Sequence, residues 1–157
     1  MKNNHSLRGC PLFDGLADAD LEKLATISVE KEHEAGSTLF KEGDFAEELL
    51  IIQEGKVAVQ MAVQSPGATT PKKATVDIAQ ANDVLGWSAI IEPHVHTLTA
   101  VCLQNTRALA ISGAKLRSML QHDHTTGYTM VSGLARIMME RLNESRRLLV
   151  SERSWVP

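Results

Sequence analysis

From about Glu34 to Ile111 the chain shows no helical period, only short apolar or alternating runs cut by glycines at 36, 43, 55 and 86. Runs of that kind predict strands joined by tight turns, and their number predicts an all-β unit. The clearest alternation sets Val57, Val59, Met61 and Val63 against Lys56, Ala58, Gln60, Ala62 and Gln64. That pattern predicts one buried face and one mostly polar face. The segment SPGATTPKKA then interrupts it with the residues of a hairpin tip, and Thr75 to Ile78 reads as the return strand. Thr97 to Leu103 and Arg107 to Ile111 complete the β region. Glycine accepts positive φ without a Cβ clash, so Gly55, between ELLII and VAV, marks a sharp corner that valine should break.

Helical periods flank this region. Leu21 and Leu24, with Phe13 and Leu16 nearby, give an apolar stripe over about 18–27, with Asp18 as the expected N-cap. After Ser112, a good N-cap, a short helix runs to about His122 and a long one from about Thr125 to Val150. The long helix carries two stripes. Tyr128, Val131, Ala135, Met138, Leu142, Ser145 and Leu149 follow coiled-coil spacing, and Met130, Leu134 and Ile137 form the second row. A helix packed on its own domain needs one stripe, so the second predicts a partner, most economically a parallel copy of this chain. Tyr128, Val131, Ala135, Met138, Leu142 and Leu149 are the expected homodimer interface, and a helix buried on both sides within one molecule is the alternative.

The 157 residues suit a single domain, and 43% hydrophobic with 22% charged residues fits an ordinary globular chain. A net charge of −3 gives no general reason to expect binding to a nucleic-acid backbone. The N-terminus has no apolar run of a secretory signal, and no stretch approaches the length of a membrane span, so the cytoplasm is the expected location. In that compartment Cys10 and Cys102 are expected as inert thiols rather than a disulfide.

The run EAGSTLFKEGDFAEELLIIQEGKVAV, with its glycines at 36, 43 and 55, the apolar strand ELLII and the turn into GKVAV, resembles the opening of the cyclic-nucleotide-binding domain of catabolite-activator-type regulators and kinase regulatory subunits. The resemblance extends from about Leu12 to Leu149. It implies a mainly β fold with flanking helices: a double-stranded β-helix (β-roll or jelly roll) sensory domain over about 34–111, followed by a long C-terminal dimerisation helix. It also implies a regulator rather than an enzyme, with no required cofactor and a cyclic nucleotide as ligand. Regulators of this kind that read DNA carry a helix-turn-helix after the long helix. Only SERSWVP follows Val150, so the expected partner is a second copy or a downstream protein rather than DNA.

The family's phosphate cassette has a glycine opening a short helix, a glutamate for the ribose hydroxyl and, some ten residues on, an arginine for the phosphate. Here the segment reads LGWSAIIEPHVHTLTA. Gly86 and the small Ala89 match, but Trp87 stands at the glutamate position and His96 at the arginine position. Trp87 offers an indole N–H and a stacking face, not an acceptor. His96 lacks the fork of an arginine and is mostly neutral at pH 7.

Three readings of this segment follow. In the first, Ser88 and Ala89 backbone N–H groups, the Ser88 hydroxyl, His96 and Thr97 hold a cyclic nucleotide or another small anion while Trp87 stacks on a ring. In the second, Trp87 fills the pocket as core and the chain is a dimerisation or docking scaffold. In the third, His94 and His96 are two ligands of a cupin-like metalloenzyme, although no third ligand follows at a short spacing. The resemblance also places purine contacts from the long helix on Ser145 and Arg146. A polar seam residue can instead set register, and Arg146 can belong to an ordinary charged helix end with Arg141, Arg147, Arg153, Glu140, Glu144 and Glu152. Trp155 is a candidate partner contact.

Overall fold

The computed structural model describes the backbone of residues 2–153 and the side chains of residues 5–152, so Trp155 and the side chain of Arg153 lie outside the described residues. Helices α1 (Lys2–Arg8) and α2 (Asp18–Thr26), separated by a 3-10 turn at Pro11–Phe13, lead into eight strands. These are β1 (Ser28–His33), β2 (Thr38–Phe40), β3 (Glu48–Glu54), β4 (Val57–Val63), β5 (Lys72–Ala79), β6 (Val84–Leu85), β7 (Thr99–Cys102) and β8 (Thr106–Ser112). Helices α3 (Gly113–His122) and α4 (His124–Arg153) follow. The strands form two four-stranded antiparallel sheets in the orders β1-β8-β3-β6 and β2-β7-β4-β5. This is the mainly β, helix-flanked roll that the sequence predicts.

The unbroken apolar run of β3 follows from its place in this arrangement. Leu50 and Ile52 join Val57, Val59, Ala100 and Ala110 in one buried cluster, whereas Leu49 and Ile51 join Leu24, Leu116, Met130 and Leu134 in another. Successive side chains point to opposite faces, so a strand buried on both must be apolar throughout. β8 repeats the arrangement with Ala108 and Ala110 in the first cluster and Leu109 and Ile111 in the second.

Two expectations change here. The β region begins at Ser28 rather than about 34, because β1 pairs along β8 from Ser28↔Ile111 to His33↔Thr106. Its sequence, SVEKEH, is that of an edge strand in which Ser28 alone is buried, so it has no apolar alternation to detect. The alternation of β4 also fails as a burial pattern. Val57, Ala58 and Val59 are all buried, while Met61 and Val63 are exposed. β7 accompanies β4 only from Val57 to Gln60, and beyond that point the β4–β5 hairpin projects past the sheet.

Gly55 turns the chain from β3 to β4 at φ +104°, and a Cβ there would stand 2.5 Å from Thr106 Oγ1 and 2.6 Å from the Asn105 carbonyl oxygen. At the start of α2 the N-cap is Ala17 and not Asp18, which lies in the first turn and pairs with Arg8 at 2.8 Å. Ser112 does cap α3, its hydroxyl accepting from the Lys115 N–H. Asp123 caps α4 by accepting the Thr126 N–H at 3.1 Å, and that bond holds its carboxyl below the usual carboxylate range. The Thr126 hydroxyl donates to Asp20, tying this end of α4 to α2.

The two stripes of α4 part company. Met130 and Leu134 are fully buried against the domain, with Ile137 packed at the edge. Tyr128, Val131, Ala135, Met138, Leu142 and Leu149 are exposed, Tyr128 at 78%. Cys10 and Cys102 are free and buried, and burial pushes the Cys10 thiol up to about 12, as expected of an inert thiol.

Candidate functional site

Gly86 ends β6 with φ +73°, where an L side chain is strained, and a Cβ would stand 2.8 Å from the Glu48 carbonyl oxygen and 3.4 Å from His96 Cε1. The glycine lets the backbone pass close over β3 and enter a 3-10 turn at Trp87–Ala89. Hydrogen bonds hold this turn from outside as well as within. Arg117 Nη1 of α3 donates to the Ala89 carbonyl oxygen at 2.6 Å, and His94 Nδ1 donates to the Ser88 carbonyl oxygen at 2.9 Å. Arg117 is a positioning residue that the sequence reading did not single out.

His96 is anchored by its backbone, donating to Asp44 and accepting from Gly43. Its ring lies flat on Phe40, with centroids 3.8 Å apart and planes inclined by 7°. The residue is 6% exposed, and neither ring nitrogen has a hydrogen-bond partner among the described residues. Burial lowers its pKa below the ordinary histidine value, against a smaller opposing influence from Asp44. Burial therefore favours the neutral imidazole, which has one donor and one acceptor.

Between this turn and α4 lies a cavity of about 310 Å³. Of the residues expected at a ligand site, Gly86, Trp87, Ser88, His96, Thr97 and Ser145 line it. Ala89 does not; its side chain is buried beneath the turn, against Gly113 of α3. Its N–H donates to the Gly86 carbonyl oxygen at 2.9 Å, so the donor expected to meet an anion is engaged within the turn itself. Arg146 is exposed and does not line the cavity either. Arg141 does so instead, from one turn earlier on the face of Ser145. The spacing of four was the available signal, since residues i and i+4 share a helix face. Met138 and Leu142, expected at a dimer seam, border the cavity as well as solvent.

The opposite wall was not legible beforehand. In the β4–β5 pairing Val59 faces Asp77 and Gln60 faces Thr75, leaving Val76 as an extra residue. Such a bulge re-aims side chains, and both Val76 and Asp77 border the cavity. Asp77 forms an ion pair with Arg141, whose guanidinium carbon also lies 5.4 Å from the centre of the Trp87 ring. Trp87 thus lines the cavity without filling it.

His94 and His96 do not converge. The first is turned onto the Ser88 carbonyl oxygen and the second onto Phe40. Among the described residues no group of three His, Cys, Asp or Glu side chains could hold a metal ion, and no helix is long and apolar enough to cross a membrane.

A β-roll with a glycine-led turn beside a long helix is the architecture of a class of regulatory domains, and comparison with known proteins agrees. The chain belongs to the cyclic nucleotide-binding domain family, whose model matches residues 30–123. It is 29% identical over 143 residues to the anaerobic regulatory protein of Bacillus subtilis (strain 168), covering 89% of this chain and 58% of that protein's length. A candidate cyclic nucleotide-binding protein from Geobacter metallireducens GS-15 is 29% identical with a TM-score of 0.78, covering 90% of this chain and 99% of that one. The N-terminal domain of a transcriptional regulator from Streptomyces coelicolor A3(2) is 25% identical with a TM-score of 0.70, covering 86% and 93%. The family and these neighbours are regulatory or ligand-binding proteins.

Proposed function

We propose that this chain is a ligand-sensing regulatory domain in which a small molecule binds between the Gly86 turn and α4 and changes where the C-terminal half of α4 lies. One observation carries this reading: the cavity is walled jointly by the turn (Gly86, Trp87, Ser88) and by α4 (Met138, Arg141, Leu142, Ser145). The N-terminal half of α4 is fixed by Met130 and Leu134, whereas residues 138–150 are mostly exposed. A ligand touching both walls therefore has different contacts in the two positions of the helix, which is what coupling requires.

The exposed seam supports a second part of the proposal. Tyr128, Val131, Ala135, Met138, Leu142 and Leu149 form an exposed, mostly apolar row along α4, with Met138 and Leu142 also bordering the cavity, and a parallel copy would cover it. The signal would leave through that homodimer or a downstream protein. A cyclic nucleotide is the occupant that family membership suggests first, and the same seam without a ligand would serve a scaffold.

A thermal-shift screen against cyclic AMP, cyclic GMP, cyclic dinucleotides, linear nucleotides, small anions and neutral ring compounds tests the sensor reading, repeated with Trp87→Glu/His96→Arg. One class should raise the melting temperature of the wild type. A wild type indifferent to every class, beside a double variant that responds to cyclic AMP, would favour the scaffold.

A further inference from the structure

Given that the cavity binds a ligand, its lining specifies the chemical class. Among the described residues four ionisable side chains border it: Asp77, His96, Arg141 and Glu144. Arg141 is the one full cation among these four, and it is already engaged by Asp77 while lying over the Trp87 ring. An incoming phosphate would have to displace a carboxylate held in the same molecule, which is present at high effective concentration. Glu144 adds a second carboxylate on the same helix. His96 is stacked on Phe40, with burial favouring its neutral form.

The rest of the lining is mainly apolar, with Val59, Val84, Leu85, Leu98 and Leu142 among it. A volume of about 310 Å³ is about twice the ~150 Å³ of a dry apolar cavity that accommodates benzene. Room therefore exists for a two-ring molecule, with the face of Trp87 as a stacking surface and the unpartnered ring nitrogens of His96 as its polar contact.

We infer that the ligand is an uncharged, ring-bearing, mostly apolar molecule with one hydrogen-bonding group for His96, and that Asp77 is the specificity residue that excludes anions by occupying Arg141. The bulge at Val76 brings Asp77 to that position, so the selectivity resides in the β4–β5 hairpin rather than in the Gly86 turn.

Isothermal titration calorimetry of the full chain with 2-naphthol, indole, cyclic AMP and inorganic phosphate tests this, using wild type, Asp77→Ala and, in case the alanine variant does not fold, Asp77→Asn. At least one neutral ring compound should bind wild type about tenfold or more tighter than cyclic AMP, a difference of about 1.4 kcal/mol. Releasing Arg141 should raise cyclic AMP affinity by about tenfold, with neutral-ring binding changed less than about threefold. Wild type that prefers cyclic AMP or phosphate, with no gain on losing Asp77, would overturn the inference and leave the sensor reading standing. Silence toward all four probes in every variant would overturn both.

Discussion

The corner at Gly55 and the turn at Gly86 are built alike and do different work. Each glycine has positive φ, and at each a Cβ would meet a backbone carbonyl oxygen, that of Asn105 at 2.6 Å or that of Glu48 at 2.8 Å. At Gly55 everything nearby is frame: β3, β4 and the residues leading into β8. At Gly86 the same close approach brings the Trp87–Ala89 turn over β3 and leaves Trp87, Ser88 and His96 facing a cavity. The contrast teaches that one backbone device either locks a fold or presents a site, depending on what distant elements place opposite it.

Gly55→Val tests the first half of the comparison and should have the largest effect. Strain at positive φ and overpacking against Thr106 should together cost about 2–5 kcal/mol, read as a lowered denaturation midpoint with ligand binding intact in whatever fraction remains folded. Gly86→Ala introduces a smaller side chain against Glu48 and should cost about 1–3 kcal/mol. Here binding should fall further than stability, because the turn must lift. Equal loss at both glycines, with no separate effect on binding, would erase the distinction.

Arg117→Ala should cost less again, about 1 kcal/mol, since one charge-assisted bond to the Ala89 carbonyl oxygen is removed from a partly exposed pair. It should loosen the turn without touching Gly55, which hydrogen exchange of the Ala89 and Ile90 amides would show. The smallest effect is that of pH. Burial lowers the folded pKa of His96, so the unfolded chain binds its proton more readily. The His96 contribution is then absent well above the unfolded value of about 6.5 and turns destabilising as pH falls through it, levelling off below the folded pKa. Melting curves from pH 7.5 to 5 should fall less steeply for His96→Gln than for wild type, and parallel curves would mean that the ring is not desolvated.

Much of this was legible in the sequence, for identifiable reasons. The longer apolar strands of the roll, the Ser112 cap and the two stripes of α4 announce themselves through local period and turn chemistry, signals that survive without knowledge of neighbours. Edge strand β1 was missed because SVEKEH has one buried residue and no alternation. Asp18 was placed one residue wrong because capping depends on backbone angles at Ala17. Of the residues expected from the motif, Gly86, Trp87, Ser88, His96, Thr97 and Ser145 line the cavity. Ala89 and Arg146 were carried along with them, and neither side chain reaches the cavity.

The sequence by itself determined most of the elements, the glycine corners and the presence of Trp87 and His96 close after Gly86, because each is written in consecutive residues. The tertiary structure alone decided the cavity's electrostatics. A bulge aims Asp77 inward, a helix entered some fifty residues later presents Arg141 to it, and burial beside Phe40 favours the neutral form of His96. Charge at a site is a sum over side chains near in space, and residues from β2, β5, the loop before β7 and α4 become near only when the two sheets and the long helix are assembled.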